Sequence, residues 1–234
     1  MKNNYRYLLF DADNTLFDFN KAEYLSFRDM CSVCNVCYTG KLYQQYSDIN
    51  DRLWKLLEQK KISLEILKIE RFRQLLTANG YTEMDAAAKA PQMRDCYMAR
   101  LGEQTCLIDG AEEICNKLSA IYEMYIVTNG ISRIQRSRFT KSVLKPYFRG
   151  LFISEEIGVS KPSAEYYDHV FRTIGCKDKT AYLAIGDSLT SDCAGAVACG
   201  IDICYFNPQG DHYSGHLPIT YTIRTLSELK EILL

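Results

Sequence analysis

The chain has 234 residues, of which 47% are hydrophobic and 24% are charged, and its formal net charge at pH 7 is −1. At about 150 residues per domain, this length predicts one large domain or two unequal ones. The balanced charge gives no broad basic surface, so a general nucleic-acid-binding or membrane-binding protein is disfavoured. The 13 glycines and 5 prolines are too few for a disordered or fibrous chain.

The first apolar run of the chain ends at Phe10, directly before Asp11. This run is much shorter than the hydrophobic segment of a signal peptide or the roughly 18 apolar residues of a membrane span. We therefore expect a cytoplasmic protein that does not associate with membranes. In a reducing compartment the 10 cysteines are expected to remain thiols rather than form structural disulfides.

The segment 19–104 has a helical pattern without a clear strand. Apolar residues recur every three or four positions over 42–56 and again over 62–76, which gives each stretch one apolar helical face. A segment of this length is too long for a loop inside a compact domain. We predict a separate lobe of four helices, in which Pro91 kinks or starts the last helix.

In the rest of the chain, short strand-like runs alternate with single helical patterns. This alternation indicates parallel strands joined by right-handed crossovers. We therefore predict an α/β fold with a doubly wound, Rossmann-like parallel sheet formed by residues 1–18 and 105–234, into which the helical bundle 19–104 is inserted. The predicted strands are 5–10, 124–127, 151–154, 181–185 and 203–206. The predicted helices of the sheet domain include 110–120, 132–144 and 163–174.

Chemically reactive side chains stand at or near the ends of the predicted strands. Ligands of an open parallel sheet bind outside the carboxyl ends of the strands, where the loops diverge and helix N-termini point inward. We expect four carboxylates, one hydroxyl and one ammonium group to share a single crevice there. These groups belong to Asp11, Asp13, Asp187, Asp192, Thr128 and Lys161.

Such a cluster carries excess negative charge. Two carboxylates about 4 Å apart repel each other by roughly 4 kcal/mol at an effective dielectric constant near 20, so the cluster requires a cation. Oxygen ligands without a nearby histidine or cysteine favour a hard cation, and Mg²⁺ is the expected cofactor. Thr128 and Lys161, on the opposite side, are expected to donate to an anion. The site is therefore predicted to bind a phosphoryl group between the metal and the lysine.

The sequence contains Asp11-x-Asp13-x-Thr15-Leu16, the strand-terminal Thr128, Lys161-Pro162 and Gly186-Asp187-x4-Asp192. These four motifs, in this order, resemble those of the haloacid dehalogenase (HAD) superfamily of phosphohydrolases. One motif alone is a weak signal, whereas four in order with strand context are a strong one. The helical insertion after the first motif resembles the C1 cap of this superfamily.

The resemblance implies a catalytic role for each motif. Asp11 would be the nucleophile that forms an aspartyl-phosphate. Asp13 would protonate the leaving group and then activate water. Thr128, the backbone amide of Asn129 and Lys161 would bind the oxygens of the transferred phosphoryl group.

The resemblance also implies a magnesium site. Mg²⁺ would be held by the Asp11 carboxylate, the Asp13 backbone carbonyl and Asp187, with Asp192 acting through water or a neighbouring side chain. A metal beside Asp11 would lower the pKa of that carboxyl, whereas Asp13 has to carry a proton part of the time, so the two environments must differ. Ser191-Asp192 also matches the start of an ordinary helix, which is the structural alternative for Asp192.

Asp13 distinguishes between activities within the superfamily. Haloacid dehalogenases need no acid for their leaving group and lack an aspartate at this position, so the resemblance implies a phosphatase. The segments 10–19, 128–130 and 158–162 resemble the YjjG-like nucleotidases, which remove phosphate from pyrimidine nucleoside 5′-monophosphates. The expected substrate is therefore a small phosphorylated metabolite, and specifically such a nucleotide. We expect a monomer or a homodimer.

Other activities agree with the same residues. A sugar phosphatase or a phosphomutase of the superfamily would use the same aspartyl-phosphate chemistry. Outside enzymes, a receiver-like phospho-switch or binding module also places an acidic cluster on a parallel sheet. The presence of Asp13 and of the inserted lobe disfavours the switch.

Two further patterns have both a functional and a structural interpretation. Cys31, Cys34 and Cys37 resemble the start of an iron–sulfur run, but no fourth cysteine follows closely. Their spacing of three would instead put the thiols along one side of a helix, where they pack as small hydrophobic groups. The aromatic residues within 17–24 would either stack on a nucleobase or pack at the hinge.

Overall fold

The computed structural model describes residues 4–211, 213 and 215–234. Its strands are β1 (Tyr7–Phe10), β2 (Glu123–Thr128), β3 (Gly150–Ile153), β4 (Tyr182–Gly186), β5 (Asp202–Phe206) and β6 (Tyr221–Ile223). Its α-helices are α1 (Phe19–Val33), α2 (Gly40–Glu58), α3 (Leu64–Ala78), α4 (Glu83–Leu101), α5 (Ala111–Ser119), α6 (Ser132–Lys141), α7 (Ser154–Ile157), α8 (Ala164–Ile174), α9 (Ala194–Cys199) and α10 (Leu229–Leu233). Among the described residues, none of the helices combines the length and the apolar composition that a membrane span requires.

In the described part of the chain, six strands form one parallel sheet in the order β3-β2-β1-β4-β5-β6. The chain builds outward from β1 through β2 to β3 and then returns to place β4 on the other side of β1. This reversal makes the gap between β1 and β4 the topological switch point, where the loops diverge. The predicted doubly wound α/β fold is confirmed.

Both faces of the sheet are covered, as expected for a parallel sheet. Leu8 and Phe10 of β1 point to one face and pack in an apolar core that includes α5. Tyr7 and Leu9 point to the other face and pack in a second core with α8 and α9. All four side chains are buried. Pairing with β2 on one side and β4 on the other sets the register of β1, which fixes the position of the residue that follows it.

Strand β6 is missing from the sequence-based prediction. It has only three residues, which are too few to show an alternating pattern. It pairs in parallel with β5, and Ile223 contributes to the same core as β1. Tertiary pairing, rather than a local signal, therefore produces this edge strand.

The chain divides into two compact units. The sheet unit comprises Met1–Phe19 and Thr105–Leu234, and the helical unit comprises Asn20–Gln104. In the helical unit, α3 packs against both α2 and α4. Pro91 lies inside α4, which is continuous through it, so a helix start at this proline is excluded.

A network of buried polar groups lies inside the helical unit. The Glu23 carboxylate accepts hydrogen bonds from Asn50 Nδ2 at 3.1 Å, the Tyr97 hydroxyl at 3.4 Å and the Tyr46 hydroxyl at 3.5 Å. Arg71 Nη1 donates to the Asn50 side-chain oxygen at 3.2 Å. Burial raises the pKa of Glu23 to about 7, and the positive charge of Arg71 opposes this rise. The network links all four helices of the unit through hydrogen bonds in an apolar interior.

The three closely spaced cysteines do not lie along one helix, contrary to the prediction. Helix α1 ends at Val33, before two of them. The φ angle of Asn35 is 52°, in the left-handed region, which is incompatible with continuing a right-handed helix. Cys31 and Cys34 are buried, whereas Cys37 is exposed. The burial of Cys31 and Cys34 agrees with the expectation that these two thiols pack as small hydrophobic groups.

Candidate active site

Three neighbouring parallel strands bring the strand-end residues to one edge of the sheet. Asp11 directly follows β1, Thr128 is the last residue of β2, and Asp187 directly follows β4. The backbone N–H of Asp11 donates to the Ile185 carbonyl at 2.8 Å, which extends the β1–β4 pairing by one residue. Asp11 and Asp187 therefore lie just beyond the ends of two adjacent strands, beside the topological switch point.

Lys161 lies at the centre of a buried ion-pair cluster and is only 1% exposed. Its ammonium group donates to Asp11 Oδ1 at 2.6 Å, to Asp192 Oδ1 at 2.6 Å and to the Val127 carbonyl at 2.8 Å. These three bonds occupy all of its N–H donors. The sequence analysis predicted that Lys161 lies on the side opposite the carboxylates. In the structure the ammonium group instead lies between two of them, Asp11 and Asp192.

The carboxylates of Asp11, Asp187 and Asp192 form a compact group, in which one oxygen of each residue lies within 4.8 Å of the other two. The Thr15 hydroxyl donates to Asp187 Oδ1 at 3.3 Å. The backbone N–H of Ser188 donates to Asp192 Oδ2 at 3.1 Å. Three carboxylates face one ammonium group, so negative charge remains uncompensated when all three are ionised. This set of oxygen donors fits a hard divalent cation such as Mg²⁺.

Burial alters the acidity of two of these carboxyl groups. It raises the pKa of Asp11 well above its usual range, although the nearby Lys161 ammonium group opposes the rise. Burial, together with the negative charge of Asp192, raises the pKa of Asp187 to about 7. A bound cation would favour the ionised form of both groups. The lowered pKa expected for Asp11 therefore depends on the metal.

The position of Asp192 depends on a glycine and on an unusual helical turn. A Cβ atom at Gly186 would lie 2.4 Å from Cγ of Asp192, so any larger residue there would displace the carboxylate. The turn Leu189–Cys193 is a π-helix, begun by the Ser188 hydroxyl, which accepts from the Ser191 N–H at 3.2 Å. Short π-helical turns often occur at functional sites. The ordinary helix start considered for this position is therefore replaced by a turn that directs Asp192 toward Lys161.

Thr128 and Asn129 line the neighbouring loop. The Thr128 hydroxyl oxygen accepts from the Gly130 N–H at 3.1 Å, which leaves the hydroxyl proton available to donate. The Asn129 side chain donates to the Lys161 carbonyl at 2.9 Å and accepts from the Lys161 N–H at 2.9 Å. The sequence analysis considered only the backbone amide of Asn129. The side chain fixes the backbone that carries Lys161.

Asp13 has two partners that the sequence analysis did not identify. Gln135 Nε2 donates to Asp13 Oδ2 at 2.5 Å, and Arg138 Nη1 donates to Asp13 Oδ1. Both partners are buried on α6, three residues apart and therefore on one face of the helix. The Phe17 ring is 1% exposed and lies under the Arg138 guanidinium, so it packs rather than offering a surface for a base. The spacing of Gln135 and Arg138, three residues apart in a predicted helix after Thr128, was the sequence signal that could have identified these two partners.

The family to which the chain belongs follows from a match over most of its length. The family model for haloacid dehalogenase-like hydrolases matches residues 5–200. The chain belongs to the haloacid dehalogenase-like hydrolase family. The four motifs of this HAD hydrolase lie within the matched residues, which confirms the resemblance and the expectation of an enzyme.

Three similar proteins cover nearly the whole chain of this HAD hydrolase. Pyrimidine 5′-nucleotidase PynA of Streptococcus pneumoniae is 36% identical over 98% of this chain and 95% of its own. Pyrimidine 5′-nucleotidase YjjG of Escherichia coli is 27% identical, covering 97% of both chains. The crystal structure of the HAD-hydrolase YfnB from Bacillus subtilis bound to magnesium has a TM-score of 0.89 and 38% identity, and covers 98% of this chain and 99% of that one.

Proposed function

We propose that this HAD hydrolase is a Mg²⁺-dependent phosphatase that hydrolyses pyrimidine nucleoside 5′-monophosphates through an aspartyl-phosphate intermediate. The supporting observation is the buried Asp11 carboxylate, 2.6 Å from Lys161, in a group of three carboxylates at the sheet edge. The names of PynA and YjjG support the choice of nucleotide. The helical unit Asn20–Gln104 corresponds in this proposal to the C1 cap.

The first chemical step forms the covalent intermediate. A carboxylate oxygen of Asp11 attacks the phosphorus, forming a new P–O bond while the bond to the leaving oxygen breaks. Asp13 gives its proton to the leaving oxygen, which departs as the nucleoside hydroxyl. One difficult displacement is thereby divided into two easier ones.

The second step restores the enzyme. Asp13, now ionised, takes a proton from a water molecule, whose oxygen attacks the phosphorus of the aspartyl-phosphate. The bond between phosphorus and the Asp11 oxygen breaks, which releases orthophosphate and the free carboxylate. Thr128, the Asn129 backbone amide and Lys161 bind the non-bridging oxygens, where donors held in advance stabilise the developing charge. For this contact, one N–H of the Lys161 ammonium group that donates to a carboxylate in the structure would also donate to a phosphoryl oxygen.

The proposed magnesium ligands are the Asp11 carboxylate, the Asp13 backbone carbonyl and Asp187, with Asp192 acting through water or a neighbouring side chain. When bound, Mg²⁺ neutralises the carboxylates and stabilises charge on the phosphoryl oxygens. The uncompensated charge of the three carboxylates is the feature of this chain that supports the proposal.

A screen of orthophosphate release tests the substrate class. We expect the highest kcat/KM for pyrimidine nucleoside 5′-monophosphates, with lower values for purine nucleotides and sugar phosphates. Preference for a sugar phosphate would favour the alternative sugar phosphatase. Formation of a phosphate isomer without orthophosphate would favour a phosphomutase. A long-lived acyl phosphate without turnover would favour a phospho-switch.

Removal of divalent metal is expected to stop orthophosphate release. Without the cation, the carboxylate cluster repels the dianionic substrate, and burial raises the pKa of Asp11, which disfavours the ionised nucleophile. The measurement is turnover after treatment with EDTA and dialysis, followed by addition of Mg²⁺, which is expected to restore activity. Circular dichroism of the treated enzyme distinguishes metal loss from unfolding. Undiminished turnover in the metal-free enzyme would contradict the proposed cofactor.

A further inference from the structure

Both oxygens of the Asp13 carboxylate have a buried donor from α6. Gln135 Nε2 lies 2.5 Å from Oδ2 and is 3% exposed, and Arg138, which donates to Oδ1, is fully buried. The Asp13 side chain itself is 23% exposed. One partly accessible carboxyl group is therefore held by two side chains that solvent does not reach.

Both donors are fixed by packing on the loops that carry the catalytic motifs. The Arg138 guanidinium carbon lies 4.7 Å from the centre of the Phe17 ring, and Phe17 closes the loop that begins at Asp13. The Gln135 amide covers Gly130, where an added Cβ atom would lie 2.0 Å from Nε2. Each donor therefore lies against a loop that carries a catalytic motif, Arg138 against the loop of Asp13 and Gln135 against the loop after Thr128.

Two donors on two oxygens determine the plane of a carboxyl group, which otherwise rotates about its side-chain bonds. Each carboxylate oxygen has two lone-pair sites, so each retains one site after accepting a single hydrogen bond. A general acid acts only when its proton is within hydrogen-bond reach of the leaving oxygen. An error of about 1 Å in such an alignment costs roughly 100-fold in rate.

We propose that Gln135 and Arg138 are positioning residues that orient Asp13 toward the leaving oxygen of the substrate. This inference rests on the proposed function, in which Asp13 is the general acid. Its consequence concerns the leaving group. Loss of the orientation harms substrates that leave as an alkoxide, which needs a proton, much more than substrates that leave as a stable phenolate.

The test compares Gln135→Met with the unaltered enzyme on two phosphate esters. Methionine keeps the length of the side chain and removes the donor. With a nucleoside 5′-monophosphate, kcat/KM is expected to fall at least about tenfold more than with p-nitrophenyl phosphate, because general acid catalysis contributes about 100- to 10,000-fold. The ratio kcat/KM reports the steps that lead to the aspartyl-phosphate, so the hydrolysis of this intermediate, which both esters share, does not affect the comparison. Arg138→Lys, which keeps the positive charge but loses the planar fork, is a second variant with the same expected selectivity.

The control variant is Arg133→Met, an exposed position on the same helix, which is expected to leave both activities unchanged. Equal losses on the two esters in both positioning variants would indicate a merely structural role and overturn the inference. Asp13→Asn separates this failure from failure of the proposed function. If Asp13→Asn loses much more activity on the nucleotide than on p-nitrophenyl phosphate while the positioning variants lose equally on both, only the inference fails. If Asp13→Asn itself loses equally on both esters, the proposed general acid fails.

Discussion

Replacement of Asp11 by asparagine is expected to abolish orthophosphate release and to leave the protein folded. An amide is a much poorer nucleophile than a carboxylate, so no aspartyl-phosphate forms. Loss of a catalytic nucleophile lowers kcat by up to about a millionfold in well-studied hydrolases, and we expect a loss of at least about 10,000-fold here. The measurement is orthophosphate release with saturating nucleotide and Mg²⁺.

The expected stability of Asp11→Asn follows from the surroundings of the carboxyl group. Burial penalises its charge, since it raises the pKa well above the usual range. A neutral amide of the same shape avoids this penalty, and Lys161 keeps its bonds to Asp192 and to the Val127 carbonyl. The midpoint of thermal unfolding is therefore expected to stay near that of the unaltered protein. Asp168→Asn, at an exposed aspartate of α8, is the matched control and should retain full activity.

Retained turnover in Asp11→Asn would exclude this residue as the nucleophile. Loss of activity accompanied by unfolding would instead make Asp11 a structural residue. Trapping of a phosphorylated protein in the unaltered enzyme, and its absence in the variant, would directly identify the bonded side chain.

The parts of the fold that were predictable are those with a strong local pattern. The residues Tyr7–Phe10 form an apolar run that is followed directly by the carboxylate of Asp11, so both the strand and its end can be read from the sequence. In the structure all four residues are buried. The π-helical turn Leu189–Cys193 has no such pattern. It depends on the contact between Asp192 and Gly186, which only the folded chain provides. The left-handed conformation of Asn35, which prevents α1 from continuing, could likewise not be predicted from the spacing of the cysteines.

The site residues at strand ends were predictable because parallel strands must end at the same edge. The partners of those residues were not. No local pattern predicts that the Lys161 ammonium group lies between Asp11 and Asp192, since these positions are far apart in the chain. Gln135 and Arg138 on α6 were overlooked because polar helical residues are usually exposed. Burial around a charged partner is a tertiary property.

Replacement of Lys161 by methionine is expected to remove both activity and a large part of the folding free energy. Methionine fills a similar volume but leaves Asp11 and Asp192 without their shared cation. Removal of one partner of a buried ion pair typically costs about 3–5 kcal/mol, and loss of a donor to the phosphoryl oxygens lowers kcat by about 100- to 1,000-fold. Urea unfolding at pH 7 in the absence of metal measures the first effect, and orthophosphate release measures the second.

The loss of stability in Lys161→Met should depend on pH and on metal in a defined direction. Lys161 lowers the pKa of Asp11, so its removal raises that pKa further. As the pH falls, protonation of Asp11 in the folded variant removes the uncompensated charge of this carboxyl group, so the difference in unfolding free energy from the unaltered protein should shrink. Mg²⁺ should restore part of the lost stability at pH 7, because it binds the folded carboxylates and not the unfolded chain. A difference that is independent of both pH and Mg²⁺ would mean that Lys161 stabilises the fold by packing rather than by charge.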